Sequence, residues 1–250
     1  MEPIRSQNTP GRGTAIVTGA GRGIGAAIAV ELAEANFSIG LMGRDQGALE
    51  LIAAECRAAG IEARCYRVDL RNGAETTETI ERIAAELGGI TVLVNNAGVF
   101  IERPIQAATI ADWEETIDVN LSAVFTATKA ALPYLLAADH GVVINIAAIA
   151  SRVGYAEGSM YAASKHGLLG FSSSLLCDLR EAGVKVSAIL PGYVATDMHA
   201  GDPALDPRKM IQPHDIARAV RFIVDFPDTS CPTEITILPQ RSPKILSKLK

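Results

Sequence analysis

The stretch Thr14-Ala15-Ile16-Val17-Thr18-Gly19-Ala20-Gly21-Arg22-Gly23-Ile24-Gly25 decides the fold. A short apolar run reads as a buried strand, the glycines as a tight turn, and the periodic residues that follow as a helix. Glycine lets the backbone approach a pyrophosphate and lets the helix pack closely on the strand. The helix start then offers unpaired N–H groups and the positive end of its dipole to the phosphates. A purely structural turn competes with this reading for the glycines alone; their place between a first strand and a first helix favours the dinucleotide.

Outward from that corner the same alternation repeats. Apolar runs at Thr14–Thr18, Ser38–Met42, Ala63–Val68, Thr91–Val94, Val142–Ala147 and Lys185–Leu190 predict strands. Helical spacing predicts helices at Ile24–Ala35, Gln46–Ala59, Ala74–Leu87, Asp112–Ala138 and Met160–Ala182, several of them ending at glycine. Pro213–Val224 and Glu234–Leu238 add a last helix and a last strand. The expectation is α/β: a single-domain Rossmann fold, with a doubly wound parallel seven-stranded sheet and helices on both faces. It spans residues 1–250, with residues 1–12 and 241–250 as flexible ends.

Composition narrows the function. With 23 Lys and Arg against 28 Asp and Glu, the chain lacks the clustered positive charge that nucleic-acid binding needs. At 48% hydrophobic residues it can bury a sizeable core. Cys56, Cys65, Cys177 and Cys231 show no paired spacing and read as scattered thiols, and the histidines form no metal constellation. Residues 1–13 hold no apolar signal region, and no run reaches membrane-span length. The expectation is a soluble, cytoplasmic protein with no nucleic-acid, membrane or metal partner.

At the tip of the second strand the sequence reads Met42-Gly43-Arg44-Asp45. Glycine stands where an acid would hold the ribose hydroxyls of NAD, and the Arg44 guanidinium suits a 2′-phosphate. Arg22 offers a second positive contact. NADP(H) is therefore the expected cofactor; the competing reading makes both arginines solvated and Asp45 a displaced NAD acid. Further along, Tyr161 and Lys165 lie at i, i+4 on one helix face. A neighbouring ammonium favours the phenolate and brings a poor base toward a useful range.

From about residue 11 to 240 this ensemble resembles the classical branch of the short-chain dehydrogenase/reductase family. The glycine loop is similar to its T-G-x-x-x-G-I-G, carried here by Gly19, Gly23, Ile24 and Gly25, with Gly21 and Arg22 inside the loop. Asp69, followed by Leu70, matches the acid that contacts adenine. Asn95-Asn96-Ala97-Gly98 matches its N-N-A-G, and Asn120 its helix asparagine. Tyr161-Ala162-Ala163-Ser164-Lys165 matches Y-x-x-x-K. Pro191-Gly192-Tyr193-Val194-Ala195-Thr196 matches the turn beside the nicotinamide.

The resemblance implies an NADP(H)-dependent oxidoreductase acting on a secondary alcohol or ketone, or on a hydroxy acid or oxo acid. Tyr161 would be the acid/base at the substrate oxygen, Lys165 the group that holds the nicotinamide ribose, and Asn120 the residue that positions a relay water. Counting back from Tyr161 by the family's interval, the catalytic serine position holds Ala148. An alanine cannot hydrogen-bond the substrate oxygen, so this chain is expected to be impaired. It is either a substituted form that holds ligands without turnover or a natural form with weak catalysis. Ser151 and Ser159 could replace the hydroxyl only through a rearranged loop. Alternatives are a reductase of 3-oxoacyl thioesters and a nucleotide-sensing module without turnover. The ending Glu234–Pro239 is loosely similar to a subgroup that includes NADP-dependent hydroxy-acid and serine 3-dehydrogenases.

The polar, proline-bearing stretch Met198–Gln212 falls where the family's substrate lid hangs. Arg103, Arg152, His199, Arg208 and Lys209 border the expected cleft and point to an anionic substrate, with a solvated polar loop as the competing reading. Apolar residues Phe125, Leu132, Leu168, Leu169, Phe171 and Leu175 lie on the two long helices, which the family uses to form homodimers and homotetramers.

Overall fold

The computed structural model describes residues 11–244, the side chain of His199 excepted. Seven parallel strands are ordered β3-β2-β1-β4-β5-β6-β7. They are β1 (Thr14–Thr18), β2 (Ser38–Gly43), β3 (Ala63–Arg67), β4 (Val92–Asn95), β5 (Val142–Ile146), β6 (Lys185–Pro191) and β7 (Glu234–Ile237). Helices α1 (Gly23–Glu34), α2 (Gln46–Ala58), α3 (Gly73–Leu87), α4 (Ile110–Ile117), α5 (Ala123–Ala137), α6 (Ser159–Leu179) and α7 (Pro213–Val224) cover both faces.

The period of two along β1 divides the core. Ala15 and Val17 face α1, α2 and α7, meeting Ile28, Leu32, Leu49 and Ile216, while Ile16 faces the other way toward Ile80 and Ile83 of α3. Helix starts follow local chemistry: Asp45 accepts from Ala48 N, Asn72 accepts from Glu75 N, and Thr109 with Asp112 forms a reciprocal cap before α4. Because β2 and β4 flank β1, the chain reverses direction there and leaves a crevice at the carboxyl ends of β1 and β4.

Three expectations change. Asp112–Ala138 is not one helix: α4 starts at Ile110 and joins α5 through a wide π-type turn, Asp118–Ser122, centred on Asn120. The composition of Met198–Gln212 hides its ties: two 3₁₀ turns, Asp197–His199 and Pro207–Lys209, carry it, and Leu205, Met210 and Ile211 are buried. The described parts of the expected flexible ends are held. Arg12 donates to Asp225 at 2.5 Å, Pro243 O accepts from Asp206 N at 2.8 Å, and Lys244 bridges to Leu205. The rest of those ends, residues 1–10 and 245–250, lies outside the described residues.

Candidate active site

One cleft of about 1100 Å³ runs across the carboxyl edge of the sheet, and most of the positions expected to bind cofactor or take part in the chemistry line it. At one end the glycine loop forms a cradle that side chains would fill. Gly19 has φ +65°, and a Cβ on Gly25 would stand 2.2 Å from Gly19 O and 2.5 Å from Asn96 Nδ2. Gly21, Arg22, Gly23 and Ile24 line the cleft, whereas Gly25 lies beneath it. Thr18 Oγ1 accepts from Asn96 N at 2.9 Å and Ala97 N at 3.0 Å, and Asn96 Nδ2 returns a bond to Thr18 O at 2.9 Å. These bonds fix Asn96, Ala97 and Gly98 opposite the glycine loop. The backbone shape and the N–H donors suit a dinucleotide pyrophosphate.

At the tip of β2, Arg44 lines the cleft, and its guanidinium makes no ion pair among the described residues. Arg22 also lines the cleft and pairs with Asp197 at 3.2 Å, with both side chains largely exposed. Asp45 lines the same corner, where its Oδ1 caps α2 by accepting from Ala48 N at 3.1 Å. Asp69 and Leu70 line the cleft as well. Arg71 holds the Asp69 carboxyl down at about 2 through side-chain hydrogen bonds.

At the other end stand Tyr161 and Lys165, both buried on the face of α6 that meets β5. Lys165 Nζ donates to Ile146 O at 2.9 Å and lies 5.7 Å from the centre of the Tyr161 ring. Burial raises the Tyr161 phenol above its ordinary value and lowers the Lys165 ammonium to about 8. This is the reverse of the expected direction for the tyrosine. A buried phenol loses the hydration its anion needs, and the nearest ammonium is bonded to a carbonyl. Pro191, Gly192, Val194 and Thr196 form the facing wall.

Ala148 lines the cleft at 8% exposure, packed with Ala150 and Tyr161 and presenting a methyl group where the resemblance placed a hydroxyl. Ser151 is buried behind it, its Oγ accepting from Ala148 N at 3.4 Å, and it does not line the cleft. Asn120 lies just outside the cleft lining. Its Oδ1 accepts from Val99 N at 2.8 Å, and its Nδ2 donates to Val99 O and Ser164 Oγ, each at 3.0 Å. That amide fastens the loop after β4 to α6.

Sequence reasoning missed Phe100, whose ring meets Tyr161 edge-on with centroids 4.9 Å apart, and the Ile146 carbonyl that holds Lys165. Only the nearness of Phe100 to Gly98 in sequence hinted at the first; a backbone carbonyl carries no sequence signal. The basic residues expected to attract an anion are answered within the chain: Arg103 by Asp112 at 3.2 Å, Arg152 by Glu234, and Arg208 and Lys209 by Asp206. The side chain of His199 lies outside the described residues. Leu168 and Leu175, expected at a subunit contact, are core residues, while Phe125 is 53% exposed.

Comparison with known proteins agrees with this geometry. A 3-oxoacyl-(acyl-carrier-protein) reductase of Synechocystis sp. is 34% identical over 220 residues, covering 85% of this chain and 89% of its own. A metagenomic short-chain oxidoreductase solved in complex with NADP superposes with a TM-score of 0.81 at 34% identity, over 93% of this chain and 99% of that one. An alcohol dehydrogenase from the archaeon Thermococcus sibiricus, complexed with 5-hydroxy-NADP, superposes with a TM-score of 0.85 at 26% identity, over 93% and 100% of the two chains. The sequence model of the short chain dehydrogenase family matches residues 13–204. With that match laid over the glycine cradle and the Tyr161–Lys165 pair, the chain belongs to the short-chain dehydrogenase family of oxidoreductases.

Proposed function

We propose that this protein is an NADP(H)-dependent carbonyl reductase or secondary-alcohol dehydrogenase in which Tyr161 is the acid/base at the substrate oxygen. The observation that carries this reading is a single cleft with a phosphate cradle at one end and a buried tyrosine–lysine pair at the other. Arg44, without an ion pair among the described residues, supports the 2′-phosphate form of the cofactor, as do the NADP-type ligands of the two solved relatives.

The cofactor, when bound, supplies or takes up the hydride. The protein's own part is placement and proton chemistry. The glycine loop and the start of α1 would hold the pyrophosphate, and Lys165, fixed by the Ile146 carbonyl, would face the nicotinamide ribose. A phenol raised by burial stays protonated near neutrality, which suits donation to a carbonyl oxygen that gains negative charge. Ala148 offers that oxygen no second donor, so turnover is expected to be slow.

Tyr161→Phe tests the assignment. Losing a positioned proton donor should reduce ketone reduction by about 10²–10⁴-fold, while NADP(H) binding followed by fluorescence stays unchanged. Full activity in that variant would end the proposal. A second reading, reduction of a 3-oxoacyl thioester, is favoured by the Synechocystis relative. It would be established by acetoacetyl-CoA being reduced faster than simple ketones.

A further inference from the structure

The cleft that holds Tyr161 is also walled by the uncharged Phe100, Ile101, Ala147, Ala148, Val194 and Met198, and its lining includes the acids Glu115 and Asp197. Phe100 stands at 90° to the Tyr161 ring and packs on the small cluster of Ala148, Ala150 and Tyr161. Met198, on the lid, is 44% exposed and adds thioether surface to the same wall. Among the described residues the cation nearest Tyr161 is Lys165, whose amine is bonded to Ile146 O. The arginines and Lys209 around the mouth are paired with carboxylates, as described above. Acids are not balanced in the same way: burial, with Glu157 and Asp202 nearby, raises Glu102, and the Tyr155 hydroxyl offsets this in part.

We propose, resting on the reductase reading above, that the substrate is a neutral ketone, or its alcohol, whose apolar substituent packs on Phe100. Phe100 is then a specificity-determining residue, and a carboxylate on that substituent is excluded. Two effects act in the same direction. An apolar ring or branched alkyl group laid on Phe100 and Met198 gains by leaving water. A carboxylate in the same place would lose its hydration with no unpaired cation beside it among the described residues to receive it, and would meet the acids Glu102, Glu157 and Asp202 nearby.

A matched pair of probes tests this: methyl 4-acetylbenzoate and 4-acetylbenzoate. The ester is the larger, so rejection of the acid cannot be steric. Each is titrated calorimetrically into the wild-type protein saturated with NADP⁺, which cannot reduce a ketone, so the readout is binding alone. The expected result is ester binding at least about 100-fold tighter than the acid. Phe100→Ala should weaken the ester about 10-fold or more and leave the acid nearly unchanged. Phe100→Leu, which keeps apolar bulk without the flat ring, should lose less, and it serves if the alanine variant does not fold. Phe100→Arg should turn the preference toward the acid.

Equal or tighter binding of the acid to the wild type, no binding of either probe, or Phe100 variants within about twofold of wild type would overturn the proposal. The cofactor titration that precedes each run separates the failures. Absence of NADP⁺ binding removes the reductase reading itself, whereas loss of the ester preference with the cofactor bound removes only the substrate class.

Discussion

Replacing Ala148 by Ser puts a hydroxyl at the end of β5, on the cleft wall beside Tyr161. The backbone accepts it without strain, because Ala148 lies at φ −166° and ψ 165°, extended values open to any residue. Ala148 is 8% exposed and lines the cleft, so the new group would be presented to a bound substrate. A single donor aimed at charge that develops only in the transition state is worth about 10²–10³ in kcat, or roughly 2.7–4 kcal/mol. The gain should therefore appear in kcat with KM little moved, since substrate and transition state are stabilised unequally. Stability should change by less than about 1 kcal/mol, because water in the open cleft satisfies the hydroxyl when no substrate is bound. The assay is single-turnover oxidation of NADPH with a ketone in excess, followed by cofactor absorbance, for both proteins. A rise below about threefold would refute the reasoning: another group would then already serve the oxygen, and Ala148 would not be the deficit. A rise in affinity without a rise in rate would refute it equally, by placing the hydroxyl on the ground state.

Arg44→Ala should raise the Kd for NADP⁺ about 10–100-fold and leave NAD⁺ binding nearly unchanged, as the lost bonds reach only the 2′-phosphate; parallel fluorescence titrations decide, and equal losses for both cofactors would contradict the role. Gly25→Ala forces a Cβ to within 2.2 Å of Gly19 O and 2.5 Å of Asn96 Nδ2, so urea unfolding should show a loss of about 1–3 kcal/mol together with weakened cofactor binding. An unchanged midpoint would mean that the loop yields more easily than its packing indicates. Lys165 sits at about 8 when folded, against an ordinary value of 10.5. Between those pH values the unfolded chain holds the proton and the folded chain does not, so this group's contribution to stability rises with pH across the window. Wild type should gain on Lys165→Met from about pH 8 to pH 10.5 in denaturant titrations, and a constant difference would deny the buried amine its shift.

The alternation of short Val- and Ile-rich runs with helical stretches was legible because both signals are local and periodic: two residues along a strand, about 3.6 around a helix. Outside the broken helix around Asn120, strand and helix bounds fall within one residue of expectation apart from α6, whose last turn narrows to 3₁₀ geometry at Arg180–Ala182. The turn at Asn120 was not legible. An apolar helical pattern continues straight through it, and the turn widens where the Asn120 amide bonds to Val99 and Ser164 on other parts of the chain.

What the sequence determined by itself was the doubly wound order, the glycine cradle and the shared face of Tyr161 and Lys165, since each depends on residues close together along the chain. Tertiary structure alone decided the charges and the acidities. Whether an arginine is available to a ligand depends on partners far away in sequence, as Arg152 finds Glu234 and Arg22 finds Asp197. Whether Lys165 lowers or leaves Tyr161 depends on burial and on a carbonyl from β5. Long-range pairing and desolvation belong to the packed molecule, and only the fold brings those groups together or removes their water.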